Sequence, residues 1–154
     1  MNGQHGMGWI RDFADPRDLH VHRAEVKPFL VAEQPLPPAF SISPLPPHFD
    51  QLTIGSCVAN AELAKVRIFQ SQILGYIAEP LSRLFLYKVL RNIQGQKGDT
   101  GGYLRTGAQA QVMFGAPPEA LYPYNIKHYD HEPAAFQYAA AQNYQGLTYY
   151  RLDP

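Results

Sequence analysis

Ala59, Leu63, Val66, Phe69 and Ile73 recur at spacings of three and four, the repeat of one helix face, and commit the middle of the chain to an amphipathic helix. Gly55-Ser56 opens this pattern, with Ser56 expected to cap free amides of the first turn, and Gly75 closes it. A second helix is predicted from about Ser82 through Leu84, Phe85, Tyr87, Val89 and Leu90. Gly95, Gly98, Gly101 and Gly102 then make a glycine-rich loop. A third helix follows from about Leu104 to Phe114, ended by Gly115 with Pro117 and Pro118. After a Tyr122-Pro123-Tyr124 turn, a short alanine-rich helix is expected around Pro133 to Ala141.

The flanks read differently. Residues 1–47 hold Asp15-Pro16, Lys27-Pro28 and two copies of Pro-Leu-Pro-Pro, at Pro35 to Pro38 and Pro44 to Pro47. Proline fixes φ and removes amide donors, so this segment is expected to be extended and irregular. The repeated motif reads as a stiff connector or as a ligand for a domain that reads polyproline helices. At the other end, Leu147 to Leu152 has strand propensity, and only Pro28 to Ala32 offers a partner. It looks like the first strand of a sheet whose remainder is absent.

Composition narrows the classes of partner. Thirteen basic and thirteen acidic side chains leave no net charge, and so no electrostatic reason to expect nucleic acid or acidic lipid. The apolar runs are too short to span a membrane, and the first residues lack the basic start and apolar stretch of a secretory signal. A soluble, intracellular protein is expected. The single cysteine rules out a disulfide framework within the chain and a cysteine-rich zinc site.

That cysteine lies in the most informative stretch, Asp50 to Ala61. A cysteine in the first turn of a helix feels the positive end of the peptide dipole, which favours thiolate over thiol. Acyl transfer also needs donors aimed at the developing oxyanion. The Cys57 amide can be one, and the Gln51 carboxamide, six residues upstream across a tight turn, the other.

Gln51 before Gly55-Ser56-Cys57 resembles the active-site motif of papain-like cysteine peptidases. Gly101-Gly102-Tyr103, the helix after it, Gly115 and Tyr122-Pro123-Tyr124 resemble that family's substrate loop, succeeding helix and Tyr-Pro-Tyr turn, without gaps from Gly101 through Tyr124. Gly8-Trp9-Ile10 and Asp15-Pro16-Arg17-Asp18 resemble the opening of bacterial members. The resemblance implies an α+β papain-like fold, mainly its helical half around a central helix starting at Cys57, with the β half largely absent. It implies Cys57 as nucleophile, Gln51 as oxyanion donor, and Gly101 and Gly102 as the backbone edge that pairs with an extended peptide. Tyr103 and Leu104 would contribute to a side-chain pocket. A peptide or protein substrate is the implied partner, and no cofactor is implied. Segment 1–47 would be a possible prosegment lying in the cleft, 48–145 the helical half, and 146–154 the first strand of the β half.

The sequence departs from the pattern in places. The usual aromatic after the cysteine is Val58, and the usual glycine after the glutamine is Leu52. The family's disulfide partners fall at Ile54 and Asp99, a joint loss that suits a reducing compartment. The family's histidine and asparagine lie ~130–150 residues after the cysteine, beyond Pro154. Of His5, His20, His22, His48, His128 and His131 none falls in a matching segment, and the last two read as solvated loop residues. The expectation is therefore a cysteine peptidase of which this is a part, or a shortened, inactive peptide-binding relative; a proline-motif adaptor trails both. His20-x-His22 with Asp15 or Asp18 lacks a third zinc ligand, and Asp12, Asp15 and Asp18 lack the ligand number and glycine turn of a calcium loop.

Overall fold

The computed structural model describes residues 7–20, 22–24, 26 and 38–151. The possible strand at 28–32 and the first Pro-Leu-Pro-Pro up to residue 37 lie outside them. Among these residues four helices are formed: α1 (Cys57–Leu74), α2 (Arg83–Ile93), α3 (Leu104–Met113) and α4 (Ala135–Ala141). Two 3-10 turns, Ile126–His128 and Gln142–Tyr144, flank α4. The one sheet among the described residues is short: β1 (Trp9–Ile10) runs parallel to β2 (Gly102–Tyr103), with Trp9 opposite Gly102 and Ile10 opposite Tyr103.

The start signals explain where the helices begin. Ser82 caps α2, its hydroxyl accepting from the Phe85 amide at 3.2 Å while donating to the Tyr122 carbonyl at 2.6 Å. One side chain thus starts the helix and holds the Tyr-Pro-Tyr turn against it. Gly75 ends α1 in the left-handed conformation, φ 74°, its amide on the Ser71 carbonyl at 2.9 Å.

The helix buried on all sides is α2: Leu84, Phe85, Leu86, Tyr87 and Leu90 are fully buried. On α1 the apolar stripe is buried at Ala59 and Leu63, but Phe69 is 62% and Ile73 84% exposed. Spacing identifies a face, whereas burial of every face is set by what surrounds the helix. Here α2 packs between α1 and α3, with Tyr122, Tyr138 and Ala141 closing the same cluster. Each large apolar side chain taken fully from water contributes roughly 1.5–3 kcal/mol before ordering costs.

A buried cation organises the loops at the far end of α2. Arg91 is fully buried and donates to the carbonyls of Tyr87, Gly98 and Tyr129 and to Asp130 Oδ1. Its charge is matched at 2.9 Å by Asp130, which also accepts from Lys88 and the Gly98 amide. Burial of such a charge is tolerated only when its donors are filled, so the glycine-rich loop is pinned to the turn after Tyr124.

Two expectations about the flanks change. Leu147 to Tyr150 form no strand; Leu147 is almost fully exposed, and only Arg151 makes a bridge, parallel to His20, with its amide on the Leu19 carbonyl at 2.8 Å. Propensity alone does not make a strand without a partner of matching length. Conversely the irregular N-terminal segment supplies β1. The second Pro-Leu-Pro-Pro lies along α1: Pro46 is buried, the Pro44 carbonyl accepts from Gln72 Nε2 at 3.0 Å, and Leu45 to Phe49 face Ala64, Arg67 and Ile68. In this fold the motif is a strap on a helix.

Candidate active site

Cys57 is the first residue of an 18-residue helix and is half-buried with a free thiol. The expected cap is absent. Ser56 makes no side-chain hydrogen bond to the first turn; its hydroxyl instead meets Tyr124 Oη at 2.6 Å and accepts from Asn60 Nδ2 at 2.9 Å. The first-turn amides beside Cys57 are thus not taken by Ser56, and the positive end of the helix dipole stays directed at the cysteine.

The loop leading into Cys57 is held from several sides. Tyr124 Oη donates to the Gln51 carbonyl at 2.9 Å as well as meeting Ser56, so one phenol ties both ends of the Gln51-to-Cys57 turn. The Gln51 side chain folds into that turn, Nε2 donating to the Ile54 carbonyl at 3.2 Å. Asn60, one turn into α1, accepts from Arg83 Nη1 at 3.1 Å. Arg83 in turn pairs with Glu119 at 3.0 Å, donates to the Asp50 carbonyl, and lies over the rings of Phe49 and Tyr124. Asn60, Arg83 and Tyr124 form a buried polar support that helical periodicity does not disclose. The one available signal was a polar residue, Asn60, on an otherwise apolar helix face.

Gly101 and Gly102 are buried, with Gly8 of the N-terminal segment against them. The Gly102 amide donates to the Gly8 carbonyl at 2.7 Å. Gly8 also lies against Gly55: a Cβ on Gly8 would meet the Gly55 oxygen at 1.7 Å, and one on Gly101 would meet the Gly8 oxygen at 2.0 Å. Gly101 needs its freedom twice over, since its φ is 75°. Tyr103 meets the ring of Phe13 at 6.3 Å. Leu104 and Trp9 line a cavity of about 380 Å3 with Asp12, Asp18, Glu62 and Arg105. The residues singled out for the cleft therefore gather around the N-terminal segment.

A further chain of bonds joins the two walls. The Gly55 amide donates to Asp99 Oδ1 at 2.8 Å, Tyr87 Oη donates to the same oxygen at 2.5 Å, and the Gly101 amide donates to Tyr87 Oη at 3.1 Å. Burial, reinforced by the bond to Asp99, raises the Tyr87 pKa far above the phenol range, so it stays a donor.

The remaining candidates are dispersed. Asp15 bonds Arg17, whose hydrogen bonds hold its carboxyl well below the usual range. Asp12 accepts from the Arg105 amide, and Asp18 pairs with Arg105 and Arg151. His128 and His131 stack on each other with ring centroids 4.7 Å apart. Among the described residues no group of three or more His, Cys, Asp or Glu is placed to hold a metal, and no helix is long and apolar enough to cross a membrane.

A helix that begins at Cys57, followed by this helix order and a short two-strand sheet at Gly102–Tyr103, is the papain-like fold in its helical part. The chain resembles the papain-like cysteine peptidases of bacteria, and in particular xylellain, a cysteine protease from Xylella fastidiosa. The two align with a TM-score of 0.79 and 29% identity over 97% of this chain and 59% of that one. This chain thus spans about three-fifths of the length of xylellain. Digestive procathepsin L 3 of the Tenebrio molitor larval midgut aligns over 63% of this chain and 30% of its own, at 20% identity and a TM-score of 0.49. No family model and no curated protein matches the sequence.

Proposed function

We propose that Cys57 is the nucleophile of a thiol peptidase that cleaves peptide bonds through an acyl-enzyme, with Gln51 and the Cys57 amide as oxyanion donors. Gly101 and Gly102 are the edge on which an extended substrate lies, and Tyr103 and Leu104 shape the pocket for one of its side chains. The N-terminal segment is a prosegment that fills this edge. One observation carries the proposal: a stretch of extended chain, Gly8 to Ile10, already sits on Gly102 as an added strand and touches Gly55, two residues before the cysteine. Its Trp9 and Phe13 stand where substrate side chains would, beside Leu104 and Tyr103. The likeness to xylellain supports the same reading.

The test is iodoacetamide alkylation of Cys57 at pH 6, followed by intact mass. A thiolate stabilised by the helix start reacts faster than free cysteine. Reaction at the free-cysteine rate, both in the whole chain and after cleavage behind the N-terminal segment, removes the nucleophile. The same Gly8–Gly102 pairing favours a second reading, a peptide-binding module without turnover. That reading is upheld if an extended peptide displaces the segment while Cys57 remains unreactive.

A further inference from the structure

In the chain Gly55–Asp99–Tyr87–Gly101 every member is bonded to the next, and Asp99 and Tyr87 have no part in the machinery assigned above. Asp99 stands where the resemblance places one half of a disulfide, and its carboxylate reaches the amide of Gly55, the neighbour of Ile54, where the other half falls. The two loops that a covalent bridge would join are joined here by a single oxygen that accepts twice. Tyr87 extends the link to the Gly101 amide from a fully buried position on α2, so the joint is fixed to the core of the fold. Asp99 itself is exposed on its other side, so water reaches the carboxylate while it accepts from buried donors.

We propose that Asp99, held by Tyr87, is a positioning residue that sets the nucleophile loop against the Gly101–Gly102 edge, replacing a redox-sensitive cross-link with a hydrogen-bonded one. Its consequence for reactivity rests on the assignment of Cys57 as nucleophile; the tether itself does not. Because no sulfur takes part, the spacing of the two cleft walls is indifferent to reductant.

Amide hydrogen exchange at Gly55 and Gly101 reads the tether directly. Asp99→Ala is expected to speed Gly55 exchange by about tenfold, the loss of one charge-assisted bond. Asp99→Asn, which keeps an acceptor oxygen, falls between that variant and the parent, and Tyr87→Phe speeds exchange at Gly101 most. Reductant changes none of these rates. Unaltered Gly55 exchange in Asp99→Ala overturns the proposal. Should that variant not fold, unaltered exchange in both Asp99→Asn and Tyr87→Phe does the same. The positioning role is read by Cys57 alkylation at pH 6, expected to slow in Asp99→Ala and recover in part in Asp99→Asn. Faster exchange with unchanged alkylation overturns that role. A parent protein whose Cys57 reacts only as free cysteine sinks the nucleophile assignment instead, and the Gly55 readout still decides the tether.

Discussion

Gly8 lies so close to Gly55 that a Cβ on Gly8 would stand 1.7 Å from the Gly55 carbonyl oxygen. This approach excludes a side chain on Gly8, whereas a Cβ on Gly55 would stand 3.1 Å from the Gly8 Cα. The N-terminal segment therefore meets the loop before Cys57 at one point that a single methyl group can block. Gly8 is held on its other side by Gly102 and Gly101, so the segment cannot slide away without giving up its place on the edge.

Gly8→Ala is accordingly expected to unseat residues 7–10 while leaving α1 to α3 intact. An overlap of that size costs about 1–3 kcal/mol if the chain tries to keep it, which corresponds to about fivefold to a hundredfold in the open fraction. Faster exchange of the Gly102 amide and faster alkylation of Cys57 should appear together, with the far-UV spectrum unchanged. Gly102 protection equal to that of the parent would show that the contact is not what seats the segment.

Leu52 offers a test in the opposite direction. It stands where the resembled family has glycine, and its φ is 57°, in the left-handed region. A β-carbon there costs about 1–2 kcal/mol, part of which glycine returns through its looser unfolded chain. Leu52 is 41% exposed, so little packing is lost on its removal. Leu52→Gly should therefore raise stability by up to about 1 kcal/mol, read as a higher urea midpoint at constant m. A lower midpoint would mean that the leucine side chain contributes more than its backbone costs.

The start and stop of α1 were legible because both are local: Gly55-Ser56 before a three-and-four repeat, and Gly75 after it. The Ser82 start of α2 was legible for the same reason. Where a side chain answers to a distant partner, local rules fail. Ser56 was expected to cap α1, but its hydroxyl is taken by Tyr124, 68 residues on. Asp99 was visible as a replaced cysteine, yet nothing near it announces Gly55, 44 residues away. The β1–β2 pair has two residues in each strand, too few for an alternation to show. The same limit explains the C-terminal segment, whose β-branched and aromatic residues promise a strand that only Arg151 joins. Gly101, Gly102 and Tyr103 were singled out through motif order, and their shared contact with Gly8 to Phe13 is a tertiary fact that no spacing carries.

Tyr124 is the clearest such case, and it can be isolated. Tyr124→Phe keeps the ring under the Arg83 guanidinium, 3.8 Å from its centroid, and removes only the hydroxyl. The Ser56 hydroxyl and the Gln51 carbonyl each lose a partner, for a combined cost of about 1–3 kcal/mol. Because both bonds flank the Gln51-to-Cys57 turn, Cys57 alkylation at pH 6 should fall along with stability in urea. A stability loss with no change in alkylation would leave Tyr124 as support for the fold alone.

Acid should loosen the N-terminal segment through Asp18. Its side chain is 6% exposed and bonds Arg105 at 2.7 Å and Arg151 at 3.0 Å. The Arg105 hydrogen bond lowers its pKa, against the opposing effect of burial and with help from Arg151. A carboxylate depressed in the folded state stabilises above its unfolded pKa, about 3.9, and that contribution is lost as pH falls through the folded value. The loss thus begins below about pH 4 and falls on the contacts that join residues 12–18 to α3. Asp130 and Glu132 are lowered too, burial being outweighed by bonds from Lys88 and Tyr138, but they act on the turn after Tyr124. Amide protection across residues 8–18, taken relative to the intrinsic exchange rate at each pH, separates the two: it should fall on acidification in the parent and be low and nearly pH-independent in Asp18→Asn. An N-terminal segment that loosens with the same acid profile in Asp18→Asn would assign the effect to another carboxylate.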